Sequence, residues 1–523
     1  MGNLRRWLQS GINRWRLALL VFLLAYAAFL LGSGFMVIQW DEMSHLRGGQ
    51  LLAQGRFPEY ISTYGYYPPF YDLVTSGYFS LFGVSAEVGR LAAVTFALLS
   101  VWLVFELANR TYGPKVALIS SVLLASMPGF FWASKFALLE SMLVFFFSLT
   151  LFFFLSWVRV DKNKALILTG LTLGLGVLAK YQVLVAGVVM VVFILLFFRD
   201  RLLAKFRKFW VLALVAILVV TPWLLLIGVG KGNDLLYAIT AGGEDRVVYS
   251  SRFPLPVFYL VEMTWPYDNT HPIFLAVYVL GLLGLGLWAF RRKTEDKFFL
   301  TWFMVVYVFF TFLIPNKQWR YVIPLFPVLA VSAASFVTFA YGKLQGAWQA
   351  TAITLNKKRL VKVAAGALLV FTVSAVAYSF YDGYQWTARY QIHIPIEETT
   401  NFAAARLNQN ESIGVLCASN SFSEDMVRFY LEANASIRNN VWQYPERAVD
   451  AFKPDFNVTE LISLCENRNA RYVFLYEYGA TFPYFNSTLT MHEVYKMLLD
   501  SGRFTTVTRF GESPRTISIL SFM

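Results

Sequence analysis

Only two cysteines, Cys417 and Cys465, occur among 523 residues, and both fall in the last quarter of the chain. No metal framework can be built from them. The four histidines, His45, His271, His393 and His492, are scattered without ligand spacing, so each reads as an ordinary polar residue rather than a metal ligand. Charge is scarce as well. Charged residues make up 15% of the chain against 57% hydrophobic, with a mean hydropathy of +0.53, which excludes an ordinary soluble globular protein. The expected solvent is a bilayer.

The charge that is present is mostly positive, a formal +13. Nucleic-acid binding would need Lys and Arg gathered on a folded basic face. Here they sit in short loops between apolar runs, the pattern of positive-inside topology. At the N-terminus Arg5, Arg6, Arg14 and Arg16 precede a long apolar run that ends at Asp41-Glu42 without a small-residue cleavage site. That run is expected to be a retained span and not a signal peptide.

Apolar runs long enough to cross lie at 16–40, 90–108, 116–132, 138–158, 165–179, 183–198, 209–228, 272–290, 298–314, 321–341 and 361–381. Segment 68–82 is apolar too, but it is short and interrupted by Asp72, Ser76 and Gly77. Charge decides its place. If it lies flat as an interfacial helix, the basic loops around Arg110/Lys115, Arg159/Lys162/Lys164, 199–208, 291–297 and 343–362 all share the N-terminus's side, the cytoplasm. A twelfth full span would reverse every later loop. Eleven spans are therefore expected. The loops 41–89 and 230–271, the turns at Lys135, Lys180 and 316–320, and everything after Asp382 then face the extracytoplasmic side.

From about Tyr384 the composition becomes that of a soluble domain, so residues 1–383 form the membrane part and 384–523 an extracytoplasmic one. Strands are predicted at 412–418, 472–476, 504–508 and 516–521, and helices at 397–407, 423–432, 458–467 and 489–500. This alternation predicts an α/β layer fold. The domain has no glycine-rich dinucleotide fingerprint, P-loop or nucleophile elbow, so no chemistry is assigned to it. Acceptor sequons at Asn410, Asn434, Asn457 and Asn486 agree with the outside placement. On an oxidising side Cys417 and Cys465 could be either a disulfide or two buried thiols.

Polar residues that could carry chemistry gather at one face. Asp41 and Glu42 form an adjacent acidic pair after the first span; alone, they also read as a solvated helix end. Downstream come Tyr66-Tyr67-Pro68-Pro69-Phe70-Tyr71, Leu81-Phe82-Gly83, Gly89-Arg90-Leu91, Leu139-Glu140-Ser141, Leu178-Ala179-Lys180, and Arg320-Tyr321 heading a span with Pro324 and Pro327. A carboxylate in a membrane helix is costly, which makes Glu140 a site or structural-partner candidate. Lys180, Arg320 and Tyr321 also suit interfacial anchoring, and Arg246 and Arg252 lie in a long loop of the kind that forms lids.

In this order and spacing the motifs resemble the GT-C glycosyltransferases of the protein O-mannosyltransferase and aminoarabinose-transferase type, over roughly the first 340 residues. The resemblance implies a GT-C membrane fold, a polyprenyl monophosphate sugar donor, a juxtamembrane helix at the double proline, and a catalytic base in the first outer loop. Asp41 and Glu42 match that acidic pair by position. The aminoarabinose branch has Glu-Lys before the double proline and the mannosyl branch a His. Here Tyr66-Tyr67 stand there, so Tyr67 is a site candidate and no sugar identity carries over. The tryptophan-rich signature of oligosaccharyltransferases is missing from the C-terminal domain.

The chemistry such a donor requires is simple to state. Its phosphodiester leaves as a stable anion, so what is needed is a carboxylate to take the proton of the attacking hydroxyl and cations to stabilise the departing phosphate. Asp41 or Glu42 fits the first role, and Arg320, Lys180, Arg246 or Arg252 the second, with Tyr321 as a further donor to phosphate. One displacement with one base inverts the anomeric centre. The acceptor, lipid, glycan or protein hydroxyl, stays open, and so does any divalent metal; no cofactor is implied. The competing reading is a transporter or lipid-linked-glycan flippase, but no clear internal repeat is found, and the polar residues gather at one face and not at a midplane.

Overall fold

The computed structural model describes residues 11–32, 36–198, 202–240, 253–265, 271–315, 317–350, 355–416, 422–433, 438–444, 456–477 and 489–523. They fall into two compact units, one of residues 1–33, 58–73 and 90–389, the other of 34–57, 74–89 and 390–523. A single cut at 383/384 would have kept 34–57 and 74–89 with the membrane part, whereas they group with the C-terminal residues.

Among the described residues seven helices are long and apolar enough to cross a bilayer: Asn13–Leu31, Ala86–Tyr112, Glu140–Val160, Lys208–Ile227, Thr294–Leu313, Trp319–Gln349 and Leu355–Ala388. Four shorter apolar helices, Pro114–Ser126, Asn163–Ala179, Tyr181–Phe197 and Leu275–Arg291, lie on the other four expected runs but fall short of that length. The protein is an integral membrane protein of largely helical architecture. Lipid offers helices no hydrophobic drive to associate, so close packing must hold them. Small residues supply it. A Cβ on Gly284 would lie 2.0 Å from the Ser332 carbonyl oxygen, and one on Gly170 would lie 2.5 Å from that of Leu212. The hydroxyl of Ser332 donates to the Gly281 carbonyl at 2.9 Å across the first of these contacts.

Three expected boundaries change. The run 16–40 does not end as one span: its helix stops at Leu31, and a separate helix, Trp40–Ala53, carries Asp41 and Glu42 in its first turn. The expected span 209–228 belongs to a helix that runs from Leu202 to Thr240, which shortens the loop 230–271. Lys231 and Asp234 end the apolar run but not the helix. Finally, 116–132 is two helices, Pro114–Ser126 and Pro128–Ala133, each with proline in its first turn. Segment 68–82 is helical over Phe70–Phe82.

In the second unit a five-stranded mixed sheet comprises β1 (Ser412–Leu416), β2 (Val441–Tyr444), β3 (Ala470–Glu477), β4 (Phe504–Phe510) and β5 (Thr516–Phe522) in the order β2-β1-β3-β5-β4. β1 runs parallel to β2 and β3, and β5 runs antiparallel to β3 and β4. The parallel connections pass through helices Glu424–Leu431 and Val458–Asn467, as crossovers require. β1 and β2 are buried along their whole length, which explains their lack of alternation. Asn457 serves as an N-cap, its side-chain oxygen accepting from the amides of Thr459 and Glu460 at 2.9 and 3.2 Å. Cys465 is a buried free cysteine. Cys417, Asn434 and Asn486 lie outside the described residues.

Candidate active site

Within the first unit, three helix ends bring charge together. Glu140 opens the helix Glu140–Val160, Lys180 caps the C-terminus of Asn163–Ala179, and Arg320 sits in the 3-10 turn Trp319–Leu325. Helix ends have backbone groups to satisfy, so polar side chains are tolerated there where mid-span positions would refuse them. The Lys180 ammonium donates to Oε1 of Glu140 at 2.8 Å, and a guanidinium nitrogen of Arg320 lies 3.9 Å from the same oxygen. Arg320 Nε donates to the side-chain oxygen of Gln318 at 2.5 Å. Glu140 is buried, with 2% exposure, while Lys180 and Arg320 keep 17% and 23% of their side chains accessible.

Two cations thus meet on one buried carboxylate. A buried carboxylate that holds a lysine and an arginine within 4 Å of one oxygen sets their positions. Tyr181, next to Lys180, reaches the Tyr66-Tyr67 segment, its hydroxyl donating to the Tyr66 carbonyl at 3.4 Å. The Tyr66 and Tyr67 rings pack with centroids 4.3 Å apart, ahead of the double proline. Tyr60 donates to Asp72 at 3.0 Å and holds that buried carboxylate. Glu140, Lys180, Arg320 and the tyrosine segment are thus parts of one unit, and Tyr321 follows Arg320 in the same turn.

The acidic pair belongs to the second unit. Helix Trp40–Ala53 begins at Gln39, whose backbone N–H donates to Oε2 of Glu42 at 3.1 Å in a capping-box arrangement. Glu42 is fully buried and its carboxylate closes the helix start; Asp41 is exposed. Both sit where the helix dipole favours negative charge. The two neighbours therefore differ in access, which the sequence alone did not distinguish.

Arg246 and Arg252 lie outside the described residues. Sequence reasoning missed Tyr181 and Gln318, although each stands within two residues of a named cation. It also missed Lys317, whose ammonium donates to the carbonyls of Phe310 and Thr311 at 2.7 Å each, and to that of Ile314, at the end of the π-helical turn Phe309–Leu313. Burial pushes the Lys317 pKa down to about 8. Lys135, 3% exposed with its ammonium 5.3 Å from the Phe131 ring centre, is likewise pushed down to about 8 by burial and by Arg90. Among the described residues no three His, Cys, Asp or Glu side chains are placed to share a metal ion.

Residues 67–226 match the family model described as dolichyl-phosphate-mannose-protein mannosyltransferase. Over its whole length the chain is similar in structure to ArnT from Cupriavidus metallidurans, with a TM-score of 0.65, 16% identity and 98% of both chains covered. The fold is that of the GT-C glycosyltransferases. The same ArnT has also been solved bound to undecaprenyl phosphate, and that structure matches with a TM-score of 0.65 at 15% identity, covering 97% of this chain and 98% of the other. The archaeal oligosaccharyltransferase AglB from Archaeoglobus fulgidus, solved with an inhibitory peptide and a dolichol-phosphate, follows at a TM-score of 0.59 and 15% identity, covering 90% of this chain and 70% of that one. Among curated sequences, the undecaprenyl phosphate-alpha-4-amino-4-deoxy-L-arabinose arabinosyl transferase 2 of Proteus mirabilis (strain HI4320) is 25% identical over 272 residues, 49% of this chain and 46% of that protein. The chain spans about half the length of the curated relatives it matches, 46% and 52% of each. The family match takes in Tyr67, Glu140 and Lys180, and leaves Asp41, Glu42, Arg320 and Tyr321 beyond its limits.

Proposed function

We propose that the protein transfers a sugar from a polyprenyl-phosphate donor to an acceptor hydroxyl at the extracytoplasmic membrane face, with inversion of the anomeric carbon. The observation that carries this reading is the meeting of Lys180 and Arg320 on buried Glu140, in a chain whose fold is shared with proteins solved with polyprenyl phosphates bound. In the reaction Asp41 accepts the proton of the acceptor hydroxyl as its oxygen bonds to the anomeric carbon. The bond from that carbon to the phosphate oxygen breaks, and the electron pair leaves on the phosphate. Arg320, seconded by Lys180 and Tyr321, stabilises the growing charge. Glu140 fixes both cations, and Glu42 holds the helix start that presents Asp41. Tyr67 lines the approach to the phosphate, and Arg246 and Arg252 are proposed as further cations for it.

The test is turnover by the purified chain. Supplied with undecaprenyl- or dolichyl-phosphate-linked sugars and lipid, glycan and peptide acceptors, it is expected to release one polyprenyl phosphate per sugar transferred. The product should carry the opposite anomeric configuration. Retention of configuration would exclude the single-base displacement, and binding of donors with no transfer to any acceptor class would exclude the transferase reading. Orientation has its own check: reporters fused after Asp382 and within 253–265 should read as extracytoplasmic, and one after Lys208 as cytoplasmic. The opposite signals would overturn the placement of the site.

A further inference from the structure

Four side chains that follow Asp41 and Glu42 in sequence converge on the end of one helix in the C-terminal region. Arg47 donates to Oε2 of Glu432 at 2.6 Å and to the Gln50 side-chain oxygen at 2.5 Å. Gln50 in turn donates to the carbonyl of Phe429 at 2.9 Å, and Gln54 to that of Glu432 at 2.6 Å. Arg56 makes a second ion pair with the Glu432 carboxylate. Phe429 and Glu432 lie at the C-terminal end of helix Glu424–Leu431, where backbone carbonyls have no helical partner and need donors. Arg47 and Gln50, with Gln54 at the C-cap, recur at helical spacing on one side of Trp40–Ala53, so a single face of that helix is pinned.

The junction is dry. Arg47 is 2% exposed, Gln50 0% and Glu432 4%. On the neighbouring face Gly49 meets Thr75, where an added Cβ would lie 2.6 Å from its methyl carbon. The Phe79 and Phe429 rings pack at 6.2 Å. A buried ion pair of this kind adds little net stability over apolar packing, and its best attested use is to fix register. Here the register being fixed is that of the helix whose first turn carries Asp41, about 9 Å before Arg47 at 1.5 Å per residue. Rotation by one residue would swing Asp41 through about 100°, and a displaced base loses its reach to the hydroxyl.

We infer that Glu432 is a positioning residue for the Asp41-Glu42 pair, and that the C-terminal region contributes to transfer by holding the helix that presents the base. This rests on the reading of Asp41 as base. It gives work to a region in which no catalytic motif is found, and it needs no contact between Glu432 and substrate.

The experiment measures kcat, KM for the donor and thermal stability on the full-length chain in detergent or nanodiscs, for Glu432→Gln, Glu432→Asp, Arg56→Met and Asp41→Asn. Glu432→Gln is expected to lower kcat by about 10²-fold, the loss a displacement of roughly 1 Å can cause, while donor KM stays within about twofold. Glu432→Asp should recover part of kcat. Arg56→Met removes one of the two cations from a site where Arg56 keeps 16% of its side chain accessible, and should show the same split with a smaller loss even if Glu432→Gln does not fold. If Asp41→Asn is inactive but Glu432→Gln and Arg56→Met turn over like wild type, the positioning role is wrong and the base assignment stands. A loss that follows the folded fraction, or that raises KM in step with falling kcat, reduces Glu432 to a structural contact. Full activity of Asp41→Asn overturns the base and the positioning role together.

Discussion

Asp41→Asn is expected to abolish sugar transfer while leaving folding and donor binding near wild type. The substitution keeps shape and removes basicity, and a general base must reach the acceptor hydroxyl within about 2.6–3.2 Å in a form that can take its proton. Asp41 is exposed in the first turn of Trp40–Ala53, whereas Glu42 is fully buried with Oε2 on the Gln39 amide. Neighbouring positions on a helix point about 100° apart, so the two cannot share the task. Glu42→Gln should therefore cost less in turnover, and what it costs should come through the helix start. The measurement is transfer from a defined polyprenyl-phosphate sugar, alongside donor binding by the same variants. Substantial turnover by Asp41→Asn would remove it as the base; loss confined to Glu42→Gln would move the role one residue along.

Arg320→Ala should lower kcat by about 10²-fold, the loss typical of one strong electrostatic donor to a developing anion. Folding should survive the change. Glu140 keeps its 2.8 Å bond to Lys180 when Arg320 is removed, so that buried carboxylate retains a cation. Arg320→Lys should restore only part of the rate, because an ammonium lacks the forked geometry that matches phosphate oxygens. Single-turnover kinetics with saturating donor separate this from weakened binding. Wild-type rates in Arg320→Ala would leave the residue as an interfacial anchor.

The membrane part was legible because lipid imposes one demand, backbone polar groups satisfied within the segment, and long apolar runs record it. Where helices extend past the apolar run, as at Leu202–Thr240, composition marks the edge of the bilayer and not the end of the helix. Helix Trp40–Ala53 went unread for a related reason: it is polar and contains Gly48-Gly49. In the C-terminal region the helices and four strands showed as stretches bounded by turn residues, while β2 did not. It is four residues long, buried throughout, and contains Gln443 between Asn440 and Pro445, so neither length nor alternation marks it. The site was legible as residue types. Glu140, Lys180 and Arg320 could each be named from their cost or position at a span end, but their meeting on one carboxylate oxygen joins residues as much as 180 positions apart and had no local signal. The same holds for Arg47 and Glu432, 385 residues apart. The difference between exposed Asp41 and buried Glu42 depends on packing, which an acidic dipeptide does not record.

The central claim is that this fold holds a polyprenyl phosphate on the Lys180–Arg320 cluster. Native mass spectrometry of the purified protein, first as isolated and then titrated with undecaprenyl phosphate or with phosphatidylglycerol as an anionic control, tests it most directly. The account predicts a retained polyprenyl monophosphate that phosphatidylglycerol does not displace and that Arg320→Ala holds more weakly. Equal retention of the two lipids, unchanged by Arg320→Ala, would contradict it.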